Sequence, residues 1–231
     1  MPHPTPHPAT LEVLLIASTQ VHTTPQLERR TPFDAEHLAE FAGRSCYLSW
    51  ERPNPATAHT SDYLANIIRQ GHLSVLEHAT ATFYITGVSR SLTHELIRHR
   101  LLSYSQVSQR FVDFSHAELI TPPAARGDRA AWEILEDVTA FSRDAYRKLV
   151  DLFTERGYGR KQAREAARAV LPGGTATAIV VTGNHRAWRE MIAKRNAPGA
   201  DAEIRELAQE LLRRLSGLAP AIYADMVKGP Q

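Results

Sequence analysis

Arg98, His99 and Arg100 stand together, and after seven intervening residues comes Ser108, flanked by Gln106, Gln109 and Arg110. A guanidinium is a permanently charged planar fork that can bind phosphate oxygens two at a time, while serine and glutamine suit the uncharged edges of a base or sugar. The stretch therefore fits a phosphorylated ligand, although two arginines and a histidine taken alone also fit a solvated basic turn. Later in the chain Arg164 and Arg168 lie one helical turn apart, and Asn184, Arg186 and Arg195 follow along one predicted helix. Eleven residues separate Asn184 from Arg195, close to three full turns, which puts both on one face. That face too is either a ligand surface or a solvated one.

Other chemistries find less support. His72 and His78 are six apart with Glu77 beside the second, whereas a helical zinc site needs histidines at i and i+4. No metal is expected; Glu77 and His78 can cap or bridge backbone, and a ligand-facing role for Ser74 and Glu77 stays open. Gly71 and Gly87 belong to no dinucleotide-binding or P-loop pattern, so a bound nucleotide must be held by side chains. Neither a nucleophile elbow nor a Ser-His-Asp order is present. Cys46, the only cysteine, rules out an intramolecular disulfide and fits a reducing compartment, and its place at the end of an apolar helical pattern predicts packing.

The elements that must position these residues can be read from periodicity. Residues 11–17 form a run predicting a largely buried first strand, and 35–42 have helical apolar spacing. Ser61 can cap a helix that runs to Gln70 and stops at Gly71. A strand over 80–86 leads to a helix over 89–98, whose C-terminal end delivers the Arg98 cluster. Such an end does not favour anions, so those arginines must act by their own charge. After the breakers Pro122, Pro123 and Gly127, an amphipathic helix over 130–156 carries Trp132, Leu135, Phe141, Tyr146 and Leu149. A helix over 161–170, a strand over 175–182, a helix over 184–195 and a long closing helix over 202–226 complete the order. The fold class is α/β, of the α+β kind: a small mixed sheet with helices packed on it and long C-terminal helices.

The chain has 231 residues, enough for one substantial domain, expected over 11–231 behind a Pro- and His-rich disordered tail over 1–10. The net charge of +2 does not call for a nucleic-acid partner. With no apolar run long enough to span a membrane and no secretory leader, a cytoplasmic location and no membrane partner are expected.

The pattern Arg98-His99-Arg100, seven residues, Ser108 resembles that of the flavin-dependent thymidylate synthases. Matching segments spread over roughly residues 11–226 in the same order: 72–78, Ser89-Arg90-Ser91, His94-Glu95-Leu96-Ile97, residues 105–110, residues 166–172, and Val181-Thr182-Gly183-Asn184 running on to Arg195. The resemblance implies reductive methylation of dUMP to dTMP, with 5,10-methylenetetrahydrofolate as carbon donor, NADPH as reductant and FAD as cofactor. It also implies a homotetramer with active sites shared between subunits. By residue, it implies flavin contacts at Ser74, Glu77, Arg98, His99, Arg100, Gln106, Asn184 and Arg186. Nucleotide contacts are implied at Glu95, Arg98, Gln106, Val107, Ser108, Gln109, Arg110, Arg168 and Arg195.

Arg195 matches the arginine held to lie against the uracil. A guanidinium beside N3 and its neighbouring carbonyl stabilises the N3 anion and pushes electron density toward C5, which becomes the nucleophile. No enzyme thiol is needed, and Ser108, an unassisted hydroxyl, serves as a hydrogen-bond partner. Glu190 departs from the His or Asn that some members carry there and is left out of the site; His185 reads as a surface histidine. The rival reading is a non-catalytic nucleotide- or RNA-binding protein that retains the pocket. Near-neutral charge argues against RNA, and the joint presence of Arg98 and Arg195 argues for catalysis.

Overall fold

Threonine alternating with apolar residues is the composition of a half-buried strand, and it recurs at the two centres of the sheet. The computed structural model describes residues 10–52 and 54–227. Strands β1 (Glu12–Ser18), β2 (Thr80–Ser89), β3 (Ser103–Gln106) and β4 (Ala176–Asn184) form one antiparallel sheet in the order β1-β2-β4-β3. The helices are α1 (Asp34–Ser45), α2 (Thr60–Arg69), α3 (Arg90–Leu96), α4 (Arg129–Glu155), α5 (Arg160–Ala167), α6 (His185–Arg195), α7 (Ala202–Leu218) and α8 (Pro220–Val227). This is the expected α/β class with helices packed on a small sheet. The tail expected over 1–10 lies, apart from Thr10, outside the described residues.

Two compact units make up the chain. Of the described residues, one comprises 10–12 with Ile85–Arg98 and Tyr104–Val180; the other comprises Val13–Tyr84, His99–Ser103 and 181–227. In the first unit Phe114, Tyr146 and Ala167 form a buried cluster joined by Val107, Leu149 and Val170. In the second, Trp188 is fully buried, meets Phe83 edge-on at 5.4 Å and donates its indole N–H to the Ala81 carbonyl at 3.2 Å. Leu64, Leu76, Ile192, Leu207, Leu211 and Leu215 are buried with it, each contributing about 1.5–3 kcal/mol relative to exposure.

Gly87 precedes the entry into α3. Along β2 the residues Ala81, Phe83 and Ile85 are buried in strict alternation, and at its end Val88 is buried as well as Ser89. Gly87, just before them, has φ +67°, and a Cβ there would lie 1.9 Å from the Thr10 carbonyl oxygen. Glycine suits both demands, since it adopts the left-handed region without strain and leaves room for the neighbouring backbone. Ser89, in the same phase as Ala81, Phe83 and Ile85, is buried, and its hydroxyl caps α3 by accepting from the Leu92 N–H at 3.0 Å.

Several sequence expectations need correction. Over β1 only Val13 is buried; Leu14, Leu15 and Ile16 are 40–54% exposed, because β1 is an edge strand and an apolar run does not itself say what covers it. Helix α2 begins at Thr60, and Ser61 lies inside its first turn instead of capping it. Its stop at Gly71 holds: with φ +75° the turn closes through the Gly71 and His72 N–H groups onto the Ile68 and Ile67 carbonyls. On α4 the inward stripe is Thr139, Ser142 and Tyr146, buried, with Leu135 and Leu149 half-buried at its ends; Thr139 and Ser142 bond to backbone carbonyls. At about 100° per residue Phe141 falls roughly a third of a turn off that stripe, and it is 75% exposed. The closing helix breaks into α7 and α8 at Ala219-Pro220, since proline offers no N–H to continue the ladder. Cys46 is exposed beyond the last turn of α1, its thiol reaching back to the Ala42 carbonyl.

Candidate functional site

The first unit gathers the residues expected around a nucleotide, except Arg195. From α3, Thr93 holds the Gln106 side-chain amide at 2.9 Å, and Val107 donates its N–H to the Ala178 carbonyl at 3.0 Å, extending the pairing of β3 along β4. The chain then turns sharply. The Ser108 carbonyl accepts from the Val112 N–H at 3.0 Å, and the Ser108 hydroxyl accepts from the Arg110 N–H at 3.3 Å. Gln109 is buried, while Arg110 is half-buried with Glu165 3.7 Å away. Helix α5 brings Arg164, which donates to the Phe111 carbonyl at 2.6 Å and pairs with Asp113 at 3.1 Å. Arg168 follows in the 3-10 turn after α5 and is exposed; Glu95 is half-buried on α3, and Arg98 is exposed just after it.

Sequence reading did not single out Arg90. It donates to the Val107 carbonyl at 3.2 Å, and its pKa is lowered by burial and then by the charge of Arg168. A half-buried guanidinium whose charge is disfavoured by a second cation nearby is a ready seat for an anion. Arg90, Arg110 and Arg164 thus line the turn from Val107 to Asp113, with Arg168 near enough to Arg90 to act on its charge, and Glu165 and Asp113 oppose them. The signal available in the sequence was the placement of Arg90 directly after the cap Ser89, which makes it the first residue of α3.

The second unit gathers most of the residues expected around a flavin. Asn184 caps α6, its side-chain oxygen accepting from the Ala187 N–H at 2.8 Å; it stands just before the helix, not within it. Ser74 and Glu77 lie on the 3-10 turn Leu73–Glu77, and Glu77 pairs with Arg186 at 2.5 Å, both side chains half-exposed. Arg195 at the end of α6 donates its Nε–H to His99 Nε2 at 3.0 Å. An accepting Nε2 fixes His99 as the neutral imidazole with its proton on Nδ1. Burial, then Arg195 and Lys194, push its pKa down. Arg100 is exposed beside it, and Gly183 allows close packing of this turn, since a Cβ there would meet Leu102 Cδ2 at 2.1 Å. Glu190 pairs with Lys194 at 2.8 Å.

His185 is not a surface residue. It is fully buried, and Nδ1 lies 2.9 Å from the Tyr223 hydroxyl, because α8 folds back over the start of α6. Burial pushes its pKa down to about 4. The unfolded imidazole binds a proton near pH 6.5, so this histidine's stabilising contribution is complete above that pH and is lost as the pH falls toward 4. We expect urea unfolding to show a loss on the order of 3 kcal/mol across that window. The loss should be absent in His185→Gln; equal pH slopes in both proteins would contradict this account.

Among the described residues no group of three or more His, Cys, Asp or Glu is placed to hold a metal ion, and no helix is long and apolar enough to cross a membrane. Residues 27–221 match the family model described as thymidylate synthase complementing protein. The chain belongs to the flavin-dependent thymidylate synthase family. It is 51% identical over 225 residues to a flavin-dependent thymidylate synthase of Mycolicibacterium gilvum, covering 94% of this chain and 90% of that protein. Relatives with the same name in Mycobacteroides abscessus and Mycobacterium tuberculosis are also 51% identical, over 223 and 225 residues, covering 93% and 94% of this chain and 89% and 90% of theirs.

Proposed function

We propose that this protein makes dTMP by reductive methylation of dUMP, with 5,10-methylenetetrahydrofolate as carbon donor, NADPH as reductant and FAD as cofactor. The observation that carries the reading is the ring of arginines around the Ser108 turn, beside uncharged hydrogen-bonding groups. In this reading Arg90, Arg110 and Arg168 supply charge for the nucleotide phosphate. Gln106, Ser108, Gln109 and the Val107 backbone serve the sugar and base, with Glu95 and Arg98 completing the seat. Arg195, oriented by His99, favours ionisation at uracil N3 and so activates C5.

The donor set fits FAD. Arg98, Arg100 and Arg186 offer cationic forks for a pyrophosphate, while the Ser74 hydroxyl, the Asn184 amide, Gln106 and the His99 Nδ1–H offer neutral donors for carbonyl edges. Glu77 holds Arg186 in place. Bound flavin supplies the hydride chemistry, and the side chains contribute position and charge.

A homotetramer with shared sites is part of the same proposal. Leu14, Leu15 and Ile16 on β1, and Ile134, Val138 and Phe141 along one face of α4, are large apolar side chains left open in a single chain. Exposed apolar stripes of this kind mark association surfaces. We place the enzyme in the cytoplasm with its small-molecule substrates, without a nucleic-acid or membrane partner.

The purified protein is expected to be yellow, to bleach on anaerobic addition of NADPH, and to form dTMP only when dUMP and the methylene donor are both supplied. A preparation that stays colourless after incubation with FAD and yields no dTMP would overturn the reading and favour a non-catalytic nucleotide binder.

A further inference from the structure

Helix α8 touches the start of α6 at two points one helical turn apart. The Tyr223 hydroxyl meets His185 Nδ1 at 2.9 Å, with the two rings 5.7 Å apart, and both residues are fully buried. Four residues on, Arg189 grips Asp225 through two parallel bonds of 2.8 and 2.6 Å and also donates to the Ile222 carbonyl. At its own N-terminus α8 is tied down as well, the Ala221 N–H donating to the Glu36 carboxylate at 2.6 Å. His185 stands between Asn184, the cap of α6, and Arg186, the arginine paired with Glu77.

The direction of the buried bond follows from counting orphans. If Tyr223 donates, only the His185 Nε2–H lacks a partner, since Nε2 has none within the described residues. If His185 donates, both its Nε2 and the tyrosine proton are left. Leaving fewer buried polar groups unsatisfied favours tyrosine as donor. The Tyr223 hydroxyl is then the imidazole's one anchor, and through the imidazole it fixes the backbone that carries Asn184 and Arg186.

The geometry points to Tyr223 and Arg189 as positioning residues for flavin: helix α8 clamps the first turn of α6 so that Asn184 and Arg186 are held ready for the cofactor. This rests on the proposal that those two residues contact FAD. It adds that the clamp acts on cofactor retention and leaves chemistry alone, because neither Tyr223 nor Arg189 is placed in the nucleotide seat.

The test compares FAD release from the holoenzyme, followed by flavin fluorescence, in wild type, Tyr223→Phe and Asp225→Asn, well below each protein's unfolding temperature. Loss of the buried bond is expected to speed release about tenfold in Tyr223→Phe, with a smaller gain in Asp225→Asn, whose side chain is half-exposed and whose folding is not at risk. At saturating FAD, kcat and the KM for dUMP should stay within about twofold of wild type, a split that general destabilisation does not produce. Unchanged release in both variants overturns the clamp. Arg186→Ala separates the two layers of the argument. If it speeds release and the α8 variants do not, the clamp alone falls; if it too leaves release unchanged, the flavin contact falls and the clamp with it.

Discussion

Arg195→Ala is expected to lower kcat for dTMP formation by about 10²–10³-fold while FAD stays bound, the scale seen when a preorganised charge-stabilising donor is removed. The guanidinium is half-buried and its Nε is committed to His99 at 3.0 Å, so the head group arrives oriented. A stabiliser of this kind acts mainly where charge develops, and the loss should appear in kcat more than in the KM for dUMP. Arg195→Lys keeps the charge but lacks the planar fork and the Nε–H, and should recover only part of the rate. Steady-state kinetics alongside the flavin absorbance band checks both; near-normal turnover in Arg195→Ala would remove the N3 role.

The pairing behind that prediction was not legible in the sequence. Spacing placed Arg195 on a helix and His99 in a turn, but their hydrogen bond joins positions 96 residues apart. Local patterns report local geometry, which is why the stop at Gly71 and the alternation of β4 could be read directly. They fail where tertiary packing decides. His185 looked like a surface histidine because nothing nearby in sequence announces Tyr223, and Phe141 looked like core because an amphipathic tally does not distinguish two apolar stripes on one helix. The grouping of Arg90 with Arg168 was hidden for the same reason, since the chain must fold before they influence each other.

Glu40→Ala is expected to destabilise the protein by about 3–5 kcal/mol, the cost of leaving buried charges without their partner. The Glu40 side chain is fully buried. One oxygen accepts from Arg44 at 2.6 Å and Arg52 at 3.1 Å, the other from the Thr60 hydroxyl at 2.6 Å. Both arginines also brace backbone: Arg44 donates to the Ser49 and Thr57 carbonyls and Arg52 to that of Glu28. The braced loop contains two non-glycine residues in the left-handed region, Leu48 at φ +49° and Arg52 at +50°. Each costs about 1–2 kcal/mol, which the network must offset.

Burial pushes the Glu40 carboxyl up, but the bonds from Thr60, Arg44 and Arg52 outweigh it and hold the pKa below its ordinary value. The contribution is therefore complete above the unfolded carboxylate range and is lost as pH falls through the lower folded value. Denaturant unfolding at neutral pH and at about pH 3 should show the gap between wild type and Glu40→Gln narrowing in acid. A gap that persists unchanged would mean the charge on Glu40 contributes little.

The two units alternate along the chain, with neither drawn from one continuous stretch. During synthesis from the N-terminus, the first unit has all its described residues once Val180 has left the ribosome. The second must hold the segments carrying α1 and α2 open until α6, α7 and α8 are made. Contacts between segments so distant in sequence form slowly, because the intervening loops must close first. Residues 13–84 therefore spend most of translation with apolar surface uncovered, and the burden on cellular chaperones falls on that segment.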